Sequence, residues 1–333
     1  MKSGLPSCAQ LDSLDIGIIR EMFLDPSSTN IQWDIRRSFR KIAQKLDTSD
    51  DTVRYRLKAL ESGVLRGWRV GINPSLLGYS TAYLFFDVHP ESLKREVLLG
   101  VAGIPGLMWY VDYFGSFVGC MIAYRSPGSL KDISERLSKA SRAEFFVKNA
   151  ASFPKCTVTL SEMDWKIVGN IQKQPRKAYS EIARQLGSST RTVRRRLDRL
   201  IHEKALYVLP DLNLGELRGS TAVSVNVFYA DPADKIRVNS EVISKFREYL
   251  VVAQLNDFDQ GFFELILPNL SRAEEVRVTT EAIPGVRLVS VRAMLNMVNL
   301  LGEVFRHDLE DQMARARGSA LSESGAVLKQ SSN

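Results

Sequence analysis

Arg191, Arg195 and Arg199 stand four residues apart, with Thr192 and Arg194 between them. On a helix that spacing aligns three guanidiniums in one stripe. A guanidinium is planar and permanently charged, and its paired N–H donors suit a phosphate or the O6 and N7 edge of guanine. The ordinary alternative is a solvated face of i, i+4 ion pairs. These three charges are alike, however, and repel at that spacing. A helix that keeps such repulsion is expected to meet an anion. Val193, Leu197 and Leu200 fall at i, i+4, i+7 on the other side and are expected to face a core. Ser189 and Thr190 open the helix, where a hydroxyl or a free backbone N–H can meet phosphate.

The same pattern occurs once more, 140 residues earlier. Ile42, Ala43, Leu46, Ser49, Thr52, Val53, Arg54, Arg56, Leu57 and Leu60 recur without a gap as Ile182, Ala183, Leu186, Ser189, Thr192, Val193, Arg194, Arg196, Leu197 and Leu200. Two short helices joined by a tight turn, the second with one apolar and one basic face, read as a helix-turn-helix. The outward face of the first copy carries Ser49, Thr52, Arg54, Tyr55 and Lys58. Arg56 and Arg196 lie nearer the buried side, where a structural ion pair is as good a reading as a ligand contact. The copies differ in charge. Residues 49–64 hold three bases and three acids, whereas residues 189–204 hold six bases and two acids, a net of +4. The second copy is therefore expected to supply more of any salt-dependent binding, with Arg195 and Arg199 each accounting for a phosphate. Arg36, Arg37, Arg40, Lys41 and Lys45 are available to compensate in the first.

These helices need a frame. Leu14, Ile18, Ile19 and Met22 share a face behind the acids Asp12 and Asp15, and predict a helix before the first pair. Ser161 and Asp164 form a capping box ahead of the second. Leu65 to Ile72 is expected as a short strand pair, a wing. After each unit the pattern shifts to period two, and strands, helices and capping boxes at Ser129 and Ser271 imply the order β-α-β-β-α-β, a split βαβ of ferredoxin-like type. The expected fold class is α+β, with two winged helix-turn-helix domains (11–75 and 159–215) alternating with two ferredoxin-like domains (76–158 and 216–299). The two ferredoxin-like sheets are expected to pair face to face. Residues 300–333 read as a charged helix and a disordered tail.

Bulk properties agree with this division. The chain has 333 residues, 25% of them charged, and a formal net charge of +7. The length implies two to four domains, and the charge favours an anionic partner or simply a soluble surface. Three cysteines, Cys8, Cys120 and Cys156, offer no disulfide framework and no metal-ligand spacing, which suits a reducing, cytoplasmic setting. No stretch reads as a signal peptide or a membrane span. No metal, cofactor or catalytic set is expected.

Leu11, Asp15, Ile18 and Ile19, then Leu60, Gly63, Val64, Leu65 and Gly67, then Asn73, Pro74, Leu77 and Gly78 together resemble the Lrp/AsnC family of prokaryotic transcription regulators. Ile283-Pro-Gly-Val286 resembles the start of the last strand in that family's ligand-sensing domain. The resemblance runs twice along the chain to about residue 299. It implies double-stranded DNA as partner, a small-molecule effector, and a pseudo-dimer within one polypeptide or a homo-oligomer. It also implies that the family's Gly-x-x-Asp turn corresponds to Gly261 to Glu264, with Glu in place of Asp, and to Gly115 to Val118, which lacks an acid. Two unequal reading heads imply an imperfect palindrome as operator. Two rivals share the architecture: a siroheme decarboxylase-like enzyme and an oligomerising scaffold. The first is disfavoured because His89, His202 and His307 all lie outside the middle strands.

Overall fold

The computed structural model describes residues 11–23, 32–141, 145–151, 153–172, 174–254 and 260–305, with 308, 310, 311 and 314. Most of the segment expected as a charged helix and disordered tail, with Cys8 and His307, lies outside the described residues. The elements run α1 (Ser13–Phe23), α2 (Phe39–Lys45), α3 (Asp50–Glu61), β1 (Leu65–Ile72), β2 (Ser80–Asp87), α4 (Lys94–Ala102), β3 (Leu107–Tyr113), β4 (Phe117–Tyr124), α5 (Pro127–Ser141) and β5 (Phe145–Ala151). They continue with α6 (Glu162–Ile171), α7 (Tyr179–Gln185), α8 (Thr190–His202), β6 (Leu206–Leu212), β7 (Thr221–Tyr229), α9 (Lys235–Lys245), β8 (Leu250–Gln254), β9 (Gln260–Leu267), α10 (Ser271–Glu281), β10 (Val286–Asn299) and α11 (Leu301–Val304).

Local chemistry sets the helix ends. Ser49 and Ser189 cap α3 and α8, each accepting the backbone N–H of the threonine three residues on. Ser161 and Asp164 form the capping box that opens α6, and the Asp12 and Asp15 side chains each accept the other's backbone N–H at the start of α1. In the turn before α8, Gly187 has φ 61°; in the turn before α3, Asp47 has φ 50°. The first copy thus places a side chain in a left-handed position, which aspartate tolerates better than most residues. The capping boxes expected at Ser129 and Ser271 shift upstream. Ser126 and Ser129 cap α5 reciprocally, so Ser129 already lies inside it, and Asn269 accepts the Arg272 N–H at the start of α10.

The expected wing hairpin does not form. Residues 65–72 make one strand, and β1 pairs antiparallel with β6, from Leu65 with Leu212, across a bulge before Gly67, to Ile72 with Leu206. A lone strand cannot satisfy its own backbone donors and acceptors, and its equivalent in the other half meets that need. A second exchange reinforces the pairing. The Arg36 guanidinium lies 4.2 Å over the Tyr179 ring and donates to the Lys177 carbonyl. The Arg176 guanidinium lies 4.2 Å over the Phe39 ring and donates to the Arg37 carbonyl. Each arginine, each ring and each acceptor has its counterpart 140 positions away, so the clasp is reciprocal.

The other eight strands form a single sheet in the order β5-β2-β4-β3-β10-β7-β9-β8. The long β10 joins its halves: residues 286–293 pair with β7 and residues 294–299 with β3. The halves are therefore joined edge to edge, and do not merely face one another as separate sheets. One face of each half still contributes to the cluster that holds α1–α3, α6–α8, β1 and β6, through Tyr83, Trp109 and Met121 on one side and Val251, Phe262 and Ile266 on the other. The opposite faces are covered by α4 and α5 in one half and by α9 and α10 in the other.

Candidate nucleic-acid interface

Both α3 and α8 bury the predicted stripe. Val53, Leu57 and Leu60 of α3, and Val193, Leu197 and Leu200 of α8, are all buried. Their outward faces differ. On α8, Thr190, Arg191 and Arg195 are exposed, and neither arginine makes an ion pair among the described residues. Arg194 approaches Asp198 at 3.6 Å with both side chains well exposed, a pair of small energetic weight. Thr192 lies at the cap, its hydroxyl 2.9 Å from that of Ser189. On α3, Ser49 and Thr52 repeat this arrangement at 2.8 Å. Tyr55 and Lys58 are exposed, and the Arg54 guanidinium sits 4.6 Å over the Phe39 ring.

Arg199 departs from the expected stripe. Its Nη2 donates to Asp164 Oδ2 at 2.8 Å, while Arg196 Nη1 donates to Oδ1 of the same carboxylate at 3.1 Å. Asp164 is 0% exposed, so its charge needs these partners. A helix turns about 100° per residue, so eight residues from Arg191 to Arg199 overshoot two turns by about 80°. That drift carries Arg199 off the outward face and towards α6. In the first copy, Arg56 bridges Asp12 at 2.8 Å and Asp15 at 3.3 Å. Of the compensating bases expected there, Arg36 belongs to the clasp. Arg37 and Lys45 both pair with the buried Glu21, at 2.9 Å and 3.0 Å. Arg40 and Lys41 remain exposed without an ion pair among the described residues. Sequence reading missed Glu21, whose only signal is an acid inside the apolar stripe of α1.

The expected effector pair does not assemble. Gly261 lies within β9, opposite Val227, and not in a turn. Three residues along a strand reverse the side-chain direction. A Cβ at Gly261 would point at Asn239 and Tyr229 on the helix-covered side, whereas Glu264 lines a small cavity of about 20 Å³ with Leu212, Val251, Met294 and Met297 on the other side. Burial in this apolar setting raises the Glu264 carboxyl to about 7. A carboxyl whose pKa is higher in the folded state stabilises the fold below its unfolded value, and that contribution is lost as pH rises through about 7. The protein should lose up to about 3 kcal/mol of this contribution between pH 5 and pH 8. In Glu264→Gln the loss should be absent, which chemical denaturation across that range checks; superimposable pH profiles would exclude it.

No group of three or more His, Cys, Asp or Glu side chains able to hold a metal occurs among the described residues, and none of their helices is long and apolar enough to cross a membrane.

Residues 160–201 match the AsnC-type helix-turn-helix domain. Over 62 residues the chain is 45% identical to the HTH-type transcriptional regulator LrpA of Pyrococcus horikoshii, covering 18% of this chain and 44% of that protein. Over 89 residues it is 37% identical to the HTH-type transcriptional regulator Ptr1 of Methanocaldococcus jannaschii, covering 26% and 54% respectively. The chain thus spans about half the length of these curated relatives. Among solved structures, the siroheme decarboxylase NirDL aligns over 91% of this chain and 99% of its own, with a TM-score of 0.52 and 15% identity. At that identity the likeness is one of fold.

Proposed function

We propose that this chain is an Lrp/AsnC-type transcription regulator that binds duplex DNA, with α8 as its stronger reading helix and α3 as the weaker. The observation that carries this reading is the exposure of Arg191 and Arg195, outside any ion pair among the described residues, on a helix inside a segment matching the AsnC-type helix-turn-helix domain. In this reading the chain arose by duplication of a helix-turn-helix plus a ferredoxin-like unit. The reciprocal Arg36 and Arg176 clasp then plays the part of a dimer interface inside one polypeptide. The heads are fixed on one body and should enter successive major grooves about one helical turn, or a multiple, apart. Selection of duplexes from a random pool, followed by affinity measured against salt, tests it. The selected site should be an imperfect palindrome, because the two outward faces differ. A site with perfect dyad symmetry, or no binding in dilute buffer, would overturn the reading.

The fold likeness to NirDL keeps an enzymatic reading in view. Against it, His89 ends the β2 region and His202 ends α8, both exposed, and no histidine occurs in β3, β4, β8 or β9. Mixing with siroheme should leave the pigment's absorbance unchanged; a shifted spectrum would favour the enzyme.

A further inference from the structure

The first half of the sheet carries an open cleft of about 840 Å³, within the range of small-molecule sites. Its floor is the turn leading into β3 and the end of β4. Gly106, at φ 86°, lies so close to β4 that a Cβ there would sit 2.4 Å from the Ala123 carbonyl oxygen. One wall is α5. The other is the segment after β10, which Phe305 anchors: this ring is 1% exposed and packs 5.4 Å from that of Tyr79. The lining is mostly apolar, with Ile104, Ile133 and Val304 among its side chains.

Among the described residues, five charged side chains line the cleft, and two of them neutralise each other. Arg125 pairs with Asp308 and lies 4.6 Å over the Tyr79 ring, while the Tyr79 hydroxyl donates to the same carboxylate at 2.8 Å. That leaves Asp132 and Asp311 against Arg136, none of them in an ion pair among the described residues. An entering molecule therefore meets apolar walls and an excess of carboxylate. We propose that this cleft binds a small organic cation, an amine carried on an apolar or aromatic body, with the ammonium on Asp132 or Asp311 and the body on Ile104 and Val304. A polycarboxylate is disfavoured, since among the described lining residues one guanidinium, that of Arg136, is outside an ion pair. The proposal does not depend on DNA binding.

Calorimetric titration of the full chain with tryptamine and with indole-3-acetate tests it, because the two probes share a ring system and differ in charge. Tryptamine should bind, and indole-3-acetate should bind at least about tenfold more weakly. In the double variant D132N/D311N, tryptamine should also weaken at least about tenfold, with the circular dichroism and Tm of the wild type retained. Both positions are exposed, so the fold should tolerate the change. Indole-3-acetate binding as tightly as tryptamine, a double variant that binds like wild type, or no heat from tryptamine at millimolar concentration would each overturn the assignment.

Discussion

The double variant R191A/R195A should bind a selected duplex with a salt dependence shallower by about two phosphate contacts. Each phosphate contact contributes a slope of about −0.9 in log affinity against log salt, so a fourfold rise in salt should weaken the variant about tenfold less than wild type. Both side chains are exposed and neither is in an ion pair among the described residues, so their charge is free to displace counterions. Arg199→Ala is the internal control. Sequence spacing alone groups Arg199 with the other two, but Asp164 already holds its guanidinium at 2.8 Å. R199A should therefore change the salt slope little and lower the Tm instead. Two outcomes would sink the assignment: an unchanged slope in R191A/R195A, or an equal slope change in R199A. The first head predicts a third comparison. Arg54 leans on Phe39 and Arg56 is held by Asp12 and Asp15, so K58A should change the slope by no more than about one contact.

What could be read from the chain was what is local. The apolar stripes of α3 and α8 follow from a 3.6-residue period, and their starts follow from Ser49 and Ser189, because a cap is satisfied within one turn. The face of a strand follows equally from a period of two, and applying that rule to Gly261 and Glu264 would have separated them at once. Partners distant in sequence were not legible. An eight-residue strand such as β1 carries no mark of whether its neighbour lies a few residues on, as in a hairpin, or in β6. The capping role of Asp164 was readable from its spacing to Ser161, but a carboxylate has two oxygens, and its reach to α8 depends on how α6 packs. The clasp lies between these cases. Arg36 and Arg176 each precede an aromatic residue by three positions, Phe39 and Tyr179, at the common offset. That repeat was visible, but that each arginine crosses to the other copy's ring was not.

Asp164→Ala should destabilise the protein by about 3 kcal/mol, a large effect for a polar side chain. The residue is 0% exposed and its carboxylate serves two helices at once. It accepts the Ser161 N–H at 2.9 Å and the Ser161 hydroxyl at 2.8 Å, closing the capping box of α6. It also accepts from Arg196 and Arg199 on α8. Loss of a cap alone costs about 1 kcal/mol. The remainder comes from leaving two neighbouring guanidiniums without their anion, moderated because their side chains are 30% and 44% exposed and can recover some water. Asp15→Ala removes the corresponding carboxylate in the first copy and should cost less. Arg56 reaches Asp15 only at 3.3 Å and keeps a second partner, Asp12, at 2.8 Å. Urea denaturation of both variants measures the difference; equal losses, or a D164A within about 0.5 kcal/mol of wild type, would show that the shared carboxylate does not hold α8 to α6. Held folded at low temperature, D164A should also show a steeper salt dependence of DNA binding than wild type, because Arg199 loses the charge that neutralises it and becomes free to reach phosphate.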